Sequence, residues 1–276
     1  MKLFRSRGRN GGGPITRSFL ARATGLFHAG RYAEAEAEAR AVAADRSGQY
    51  NDSHGPLALT VAAAATSAQG RHAEALTEYD ALLPVFGRIF GAEHWQTLKL
   101  RSDRAQTLSF LGRHTECEAE CAALIRAAAH GRGSETALVD AAARNGQIYA
   151  LNAQCRHPEA ETLAREALAG RPVRDRMTLA LRLGLARSLN GQARYEEALA
   201  EVQQIGRLRR IMPEEQRHPE TGAVELAMAT ALLGLGRTTE ARIRAVAAHK
   251  ACLAAFGPGH YRTAEARSLL DRTDGA

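Results

Sequence analysis

A chain of 276 residues is long enough for one or two ordinary domains with a sizeable core. With 56 alanines and only 5% aromatic residues it disfavours a β-sandwich or barrel and favours closely packed helices, and no apolar run approaches the roughly 18 residues of a membrane span. The formal charge of +7 comes from 34 arginines against 3 lysines, and alone it is a weak pointer to acidic partners or nucleic acid.

Residues 1–13 read as a flexible basic tail, with Lys2, Arg5, Arg7 and Arg9 ahead of Gly11, Gly12 and Gly13. A secretory leader needs an apolar stretch after such charges, and Gly-Gly-Gly-Pro stands there instead. Cys117, Cys121, Cys155 and Cys252 are sparse and form no C-x-x-C pair, which suits the reducing cytoplasm.

From residue 14 a repeat runs to about residue 272. The pentapeptide Arg-x-x-Glu-[Ala/Cys] occurs at 31–35, 71–75, 113–117, 156–160, 194–198 and 237–241, at intervals of 40, 42, 43, 38 and 43 residues. Eight residues before each arginine stand Ala23, Ala63, Ala105, Ile148, Ala186 and Ala229; five before stand Leu26, Thr66, Leu108, Leu151, Leu189 and Leu232. Those two columns are three apart and share one face of a helix. Gly30, Gly70, Gly112 and Gly236 precede four of the arginines and can take the left-handed conformation that ends a helix. The glutamate then falls in the first turn of a second helix, where the macrodipole favours it. The small residue after it lets the two helices approach closely.

Taken in chain order, the first unit is a helix closing at Gly30 and a second opening at Arg31. In the second unit Pro84 is expected to end or kink the second helix. The fourth unit carries about one extra helical turn over residues 131–144. After the sixth, Thr263 to Leu270 begins a seventh first helix, and Arg267, Asp271 and Arg272 would make it a polar terminal cap. A hairpin of this kind cannot bury its apolar face alone, so neighbours must stack.

The small residue of the first helix and the Gly-Arg-[Tyr/His]-x-Glu-Ala opening of the second resemble the tetratricopeptide repeat. The period near 42, and the frame F-G-x-x-H-x-x-T at residues 90–97 and 256–263, are similar to its kinesin-light-chain-like class, common in bacterial proteins. The resemblance implies an all-α fold: a solenoid of stacked antiparallel helical hairpins, about six repeats over residues 14–272, a capping helix at 260–272 and a short tail at 273–276. It also implies a peptide groove lined by first helices, with an Asn pair before the small residue. Here those pairs are Ser102-Asp103, Asn145-Gly146, Leu183-Gly184 and Leu226-Ala227, so only Asn145 survives.

Catalytic motifs are missing. No P-loop is possible with lysines only at 2, 99 and 250, and there is no G-x-S-x-G or H-E-x-x-H. His114, Cys117 and Cys121 share a helical face, but the cysteines occupy the small-residue columns of Ala35 and Ala39, so core packing is the better account. His72, His114 and His157 share a column with Tyr32 and Tyr195 and read as packing residues. Arg101, Arg144 and Arg182, extended by Arg267, form a column that either captures anionic groups or pairs internally; the second reading is preferred. Trp95 reads as a packing anchor.

The expected function is therefore a non-catalytic scaffold binding a peptide or protein, polar or acidic, with no cofactor, no metal and no membrane. By the family's geometry the groove holds Thr24, Phe27, His28, Thr60, Ala64, Ser67, Lys99, Ser102, Gln106, Ser109, Asn145, Tyr149, Asn152, Arg187 and Asn190. A nucleic-acid-binding or regulatory repeat protein using its basic surface is the alternative. It is disfavoured because single-strand binders stack bases on aromatics, which are scarce here.

Overall fold

The computed structural model describes residues 14–45, 53–131, 133–171, 175–212, 222–259 and 261–275. The basic tail at 1–13, and His260 of the second F-G-x-x-H-x-x-T frame, lie outside the described residues. Among the described residues there are thirteen helices and no strand: α1 (Pro14–His28), α2 (Tyr32–Asp45), α3 (His54–Ala68), α4 (His72–Ile89), α5 (Trp95–Phe110), α6 (His114–Ala128), α7 (Ser134–Ala153), α8 (His157–Ala169), α9 (Arg176–Gly191), α10 (Tyr195–Ile211), α11 (Ala223–Gly234), α12 (Thr238–Phe256) and α13 (Tyr261–Asp274).

The turn inside each hairpin follows from the pentapeptide. In all six, the arginine N–H donates to the carbonyl five residues back, Leu26, Thr66, Leu108, Leu151, Leu189 or Leu232, at 2.9–3.2 Å. This is the long bond of a Schellman ending, and it requires a left-handed residue just before the arginine. Gly30, Gly70, Gly112 and Gly236 supply it with φ between 72° and 84°. The arginine carbonyl then accepts the first bond of the second helix, as from Ala35 at 2.9 Å and Ala241 at 2.9 Å. Its guanidinium grips the first-turn glutamate at 2.5–2.9 Å in every hairpin.

Two hairpins depart from glycine. Cys155 and Ala193 hold φ of 59° and 58° at the left-handed position, a conformation that crowds Cβ against the carbonyl. Ala193→Gly relieves it. It should raise stability by about 1 kcal/mol in a urea titration even though glycine loosens the unfolded chain.

The described residues fall into two compact units, divided between Gly91 and Ala92. In the first, α2 packs between α1 and α3, α1 lies on α3, and α4 on α3. In the second, α5, α7, α9, α11 and α13 pack in series, while α6, α8, α10 and α12 each sit between the two helices they connect. Within each unit the first helices therefore form a row, and the second helices back it. The repeat columns are the contact: Ala35, Ala75, Cys117, Ala160, Ala198 and Ala241 are all fully buried, as are Ala23, Ala63, Ile148, Ala186 and Ala229.

Helix α7 has 20 residues against 16 in α5 and α9, the expected extra turn. Pro84 does not end its helix: α4 continues to Ile89. Its exposed side leaves the ring in solvent, while Tyr79, Leu82 and Phe86 anchor the same helix in the core. Trp95 is no buried anchor. It opens α5 at 37% exposure, beside the capping His94, whose ring nitrogen accepts from the Gln96 N–H at 3.3 Å.

A second interaction ties hairpins together. Glu161 on α8 accepts from Gln192 and Arg194 of the next hairpin, both at 2.7 Å. Glu118 on α6 accepts likewise from Gln154 and Arg156 at 2.8 Å. In the first unit Glu36 on α2 accepts from Gln69 at 2.7 Å and also from Arg71. Between α10 and α11 the same positions hold Leu199 and Leu235, which pack into one apolar cluster instead. The polar clasp and the leucine pair are alternative solutions at one place.

Candidate functional site

In the second unit the row of first helices encloses one described cavity of about 480 Å³. Its walls come from α7 (Tyr149, Asn152 and Ala153), His157 at the start of α8, α9 (Arg187, Asn190 and Gly191), α11 (Leu226, Ala227 and Thr230), and Glu265 on α13.

The polar residues of the wall have defined work. Asn152 donates to the Gly184 carbonyl at 3.2 Å and to Ser188 Oγ at 3.0 Å, which ties α7 to α9. Its Oδ1 meets His157 Nδ1 at 3.0 Å. Asn190 occupies the equivalent place on α9 and donates to the Ala227 carbonyl at 2.9 Å. There the second helix opens with Tyr195 in place of a histidine, so no ring nitrogen reaches back. Asn190 Oδ1 is buried and has no hydrogen-bond partner among the described residues. Arg187 sets its guanidinium over the Tyr149 ring at 5.4 Å from the centroid, a cation–π arrangement that orients the charge.

Ring packing shapes the same region. The His157 ring lies against Gly191 and the Tyr195 ring against Gly234, so closely that a Cβ on either glycine would stand 2.3 or 2.5 Å from ring atoms. At these two junctions the column thus packs the second helix against the following first helix. His72 reaches Ser67 Oγ at 3.1 Å, and burial lowers the pKa of His72 and His114. Cys117 and Cys121 are buried with sulfurs 4.0 Å apart, and Cys121 fills the space left by Gly146. Cys155 stands apart and exposed.

Of the fifteen groove candidates, Tyr149, Asn152, Arg187 and Asn190 come together in the cavity. Lys99, Ser102, Gln106, Ser109 and Asn145 lie on α5 and α7 of the same unit but do not line it; Lys99 pairs with Asp103 at 2.6 Å, and Ser109 is buried. Thr24, Phe27, His28, Thr60, Ala64 and Ser67 belong to α1 and α3 of the first unit. Phe27 there packs edge-on against Tyr32, and Thr60 bonds the Leu57 carbonyl. Sequence reasoning missed Thr230 and Glu265. The row of first helices continues into α13, so a helix expected to be a polar cap contributes an acidic wall.

The arginine column pairs internally. Arg101 bonds Glu120 at 2.7 Å and Arg182 bonds Glu201 at 2.6 Å, each nineteen residues on. Arg144 has Leu163 at that offset and turns to Asp140 at 2.8 Å, and Arg267 pairs with Asp271 at 3.1 Å. Among the described residues, no group of three or more His, Cys, Asp or Glu side chains is placed to hold a metal ion, and no helix is long and apolar enough to cross a membrane.

No family model matches the chain, and no curated protein matches it. Solved structures do. A chain from Podosopora anserina described as a kinesin light chain with nearly identical TPR-like repeats superposes with a TM-score of 0.56 at 20% identity, over 70% of this chain and 94% of that one. A single-substitution variant of that chain gives 0.57 at 19% identity, over 71% and 94%. A tetratricopeptide repeat protein from Parabacteroides merdae aligns over 95% of this chain and all of its own, at 15% identity and a TM-score of 0.48. The fold is the all-α tetratricopeptide-repeat fold, in the form seen in kinesin-light-chain-like repeats.

Proposed function

We propose that this chain is a non-catalytic protein-interaction scaffold of the cytoplasm that holds an extended peptide against its row of first helices. The observation that carries the reading is the cavity walled by α7, α9, α11 and α13, four first helices in succession, with an oriented arginine over an aromatic ring. Helical-repeat arrays bind along such rows because each repeat adds a similar strip of surface. The basic-surface alternative loses weight, since the six junction arginines and the arginine column are engaged with carboxylates of the chain itself.

The test is affinity purification with the full chain, followed by titration of a peptide from the recovered partner. Tyr149→Ala should weaken binding about tenfold, because it removes an aromatic wall and releases Arg187. Asn145→Ala lies outside the cavity and should change little. Unchanged affinity in Tyr149→Ala would remove the cavity from the binding site.

A further inference from the structure

The charges lining the cavity are of both signs. Arg187 stands on α9 and Glu265 on α13, and α11, which packs against both helices, lies between them. Glu265 is exposed and forms no ion pair among the described residues. The surface between the two charges is built by Leu226, Ala227 and Thr230, small or apolar, and adds no charge. Two interaxial steps of about 8–10 Å separate α9 from α13. Side chains reaching in from both sides leave room for two or three residues of extended chain at about 3.3 Å each.

A uniformly acidic peptide would be attracted at Arg187 and repelled at Glu265; a uniformly basic one would meet the reverse. Either mismatch leaves like charges together in a partly enclosed site, where screening by water is reduced. We propose that the cavity selects a peptide of mixed charge, an Asp or Glu side chain seated on Arg187 and a Lys or Arg side chain on Glu265, with two or three residues separating them. This rests on the peptide-scaffold reading and narrows its partner from polar or acidic to doubly charged.

The experiment uses the full chain and an array of immobilised 12-residue peptides on one Ala/Ser/Leu background. The peptides carry acid–base pairs at separations from one to six residues, all-acid patterns or all-base patterns. Mixed pairs two or three apart should bind at least about tenfold better than either uniform pattern. Glu265→Lys, at an exposed position, should reverse the order and favour all-acid peptides by about tenfold. Arg187→Gln should abolish the preference for an acid. Equal binding of all-acid and mixed peptides by the unaltered chain, or an unchanged ranking in Glu265→Lys, overturns the charge-pair selection and leaves the peptide groove standing. Failure of every pattern to bind overturns the peptide reading itself, and the selection with it.

Discussion

Gly234→Ala is expected to destabilise the protein by about 1–3 kcal/mol, although alanine is the better helix former. Gly234 ends α11, and a Cβ there would lie 2.5 Å from three atoms of the Tyr195 ring. That ring belongs to the first turn of α10, which packs between α9 and α11, so it cannot withdraw without loosening the hairpin contact. Overpacking of this kind forces a side chain off its rotamer or shifts a helix. Gly206 is the internal control. It sits inside α10 with nothing within 4 Å of its would-be Cβ, so Gly206→Ala should stabilise by about 0.5–1 kcal/mol. Urea midpoints moving in opposite directions for the two variants would support ring packing as the cause; a stabilised Gly234→Ala would refute it.

Removing the clasp at Glu161 is the second large effect. Burial pushes its carboxyl up, but hydrogen bonds from Gln192, Arg165 and Arg194 outweigh this and hold the pKa below the ordinary 4.5. Its side chain is only 12% exposed. Glu161→Ala leaves three donors without their acceptor and should cost about 1–2 kcal/mol, kept modest because the arginines are 38–49% exposed and screened. A carboxylate with a depressed folded pKa adds stability that is fully present above the unfolded value and is lost as pH falls through the folded one. The difference between wild type and variant should therefore be constant from pH 7 to about pH 5 and shrink below pH 4.5. The chain offers its own repair, since Leu199 and Leu235 occupy the same two positions one hairpin later. Glu161→Leu with Gln192→Leu should lose less than the two single changes summed, because partners replaced together leave no buried group stranded. Additive losses would mean that the clasp positions act independently.

These two contacts differ in how far the chain announces them. The Schellman turn and the arginine–glutamate grip are contained in five consecutive residues, so Arg156 to Ala160 describes its own hairpin without reference to anything distant. The small columns are as local: Ala160 and Ile148 are buried because one helix must approach another at a fixed offset. Pro84 shows the limit of local reasoning. A proline mid-helix predicts an end or a kink, and α4 does not end there, because Tyr79, Leu82 and Phe86 bury the same helix on both sides of it. Trp95 shows another, since hydrophobic size suggested an anchor where the packing left the ring partly in solvent.

The sequence by itself determined the fold class, the turn inside each of the six hairpins and the core columns, because each depends on residues within about one repeat of one another. The tertiary structure alone decided the cavity. Tyr149, Arg187 and Leu226 lie on three different hairpins and Glu265 on the terminal helix, and whether they converge depends on how each stacking step rotates the next helix. That rotation is the sum of side-chain packing at every junction, clasp or leucine pair, and no single stretch of chain encodes it. For the same reason the sequence left the arginine column between a ligand ladder and internal pairing, with pairing preferred, and the packing supplies the ion pairs. A column marks equivalent positions, but only packing decides what faces them.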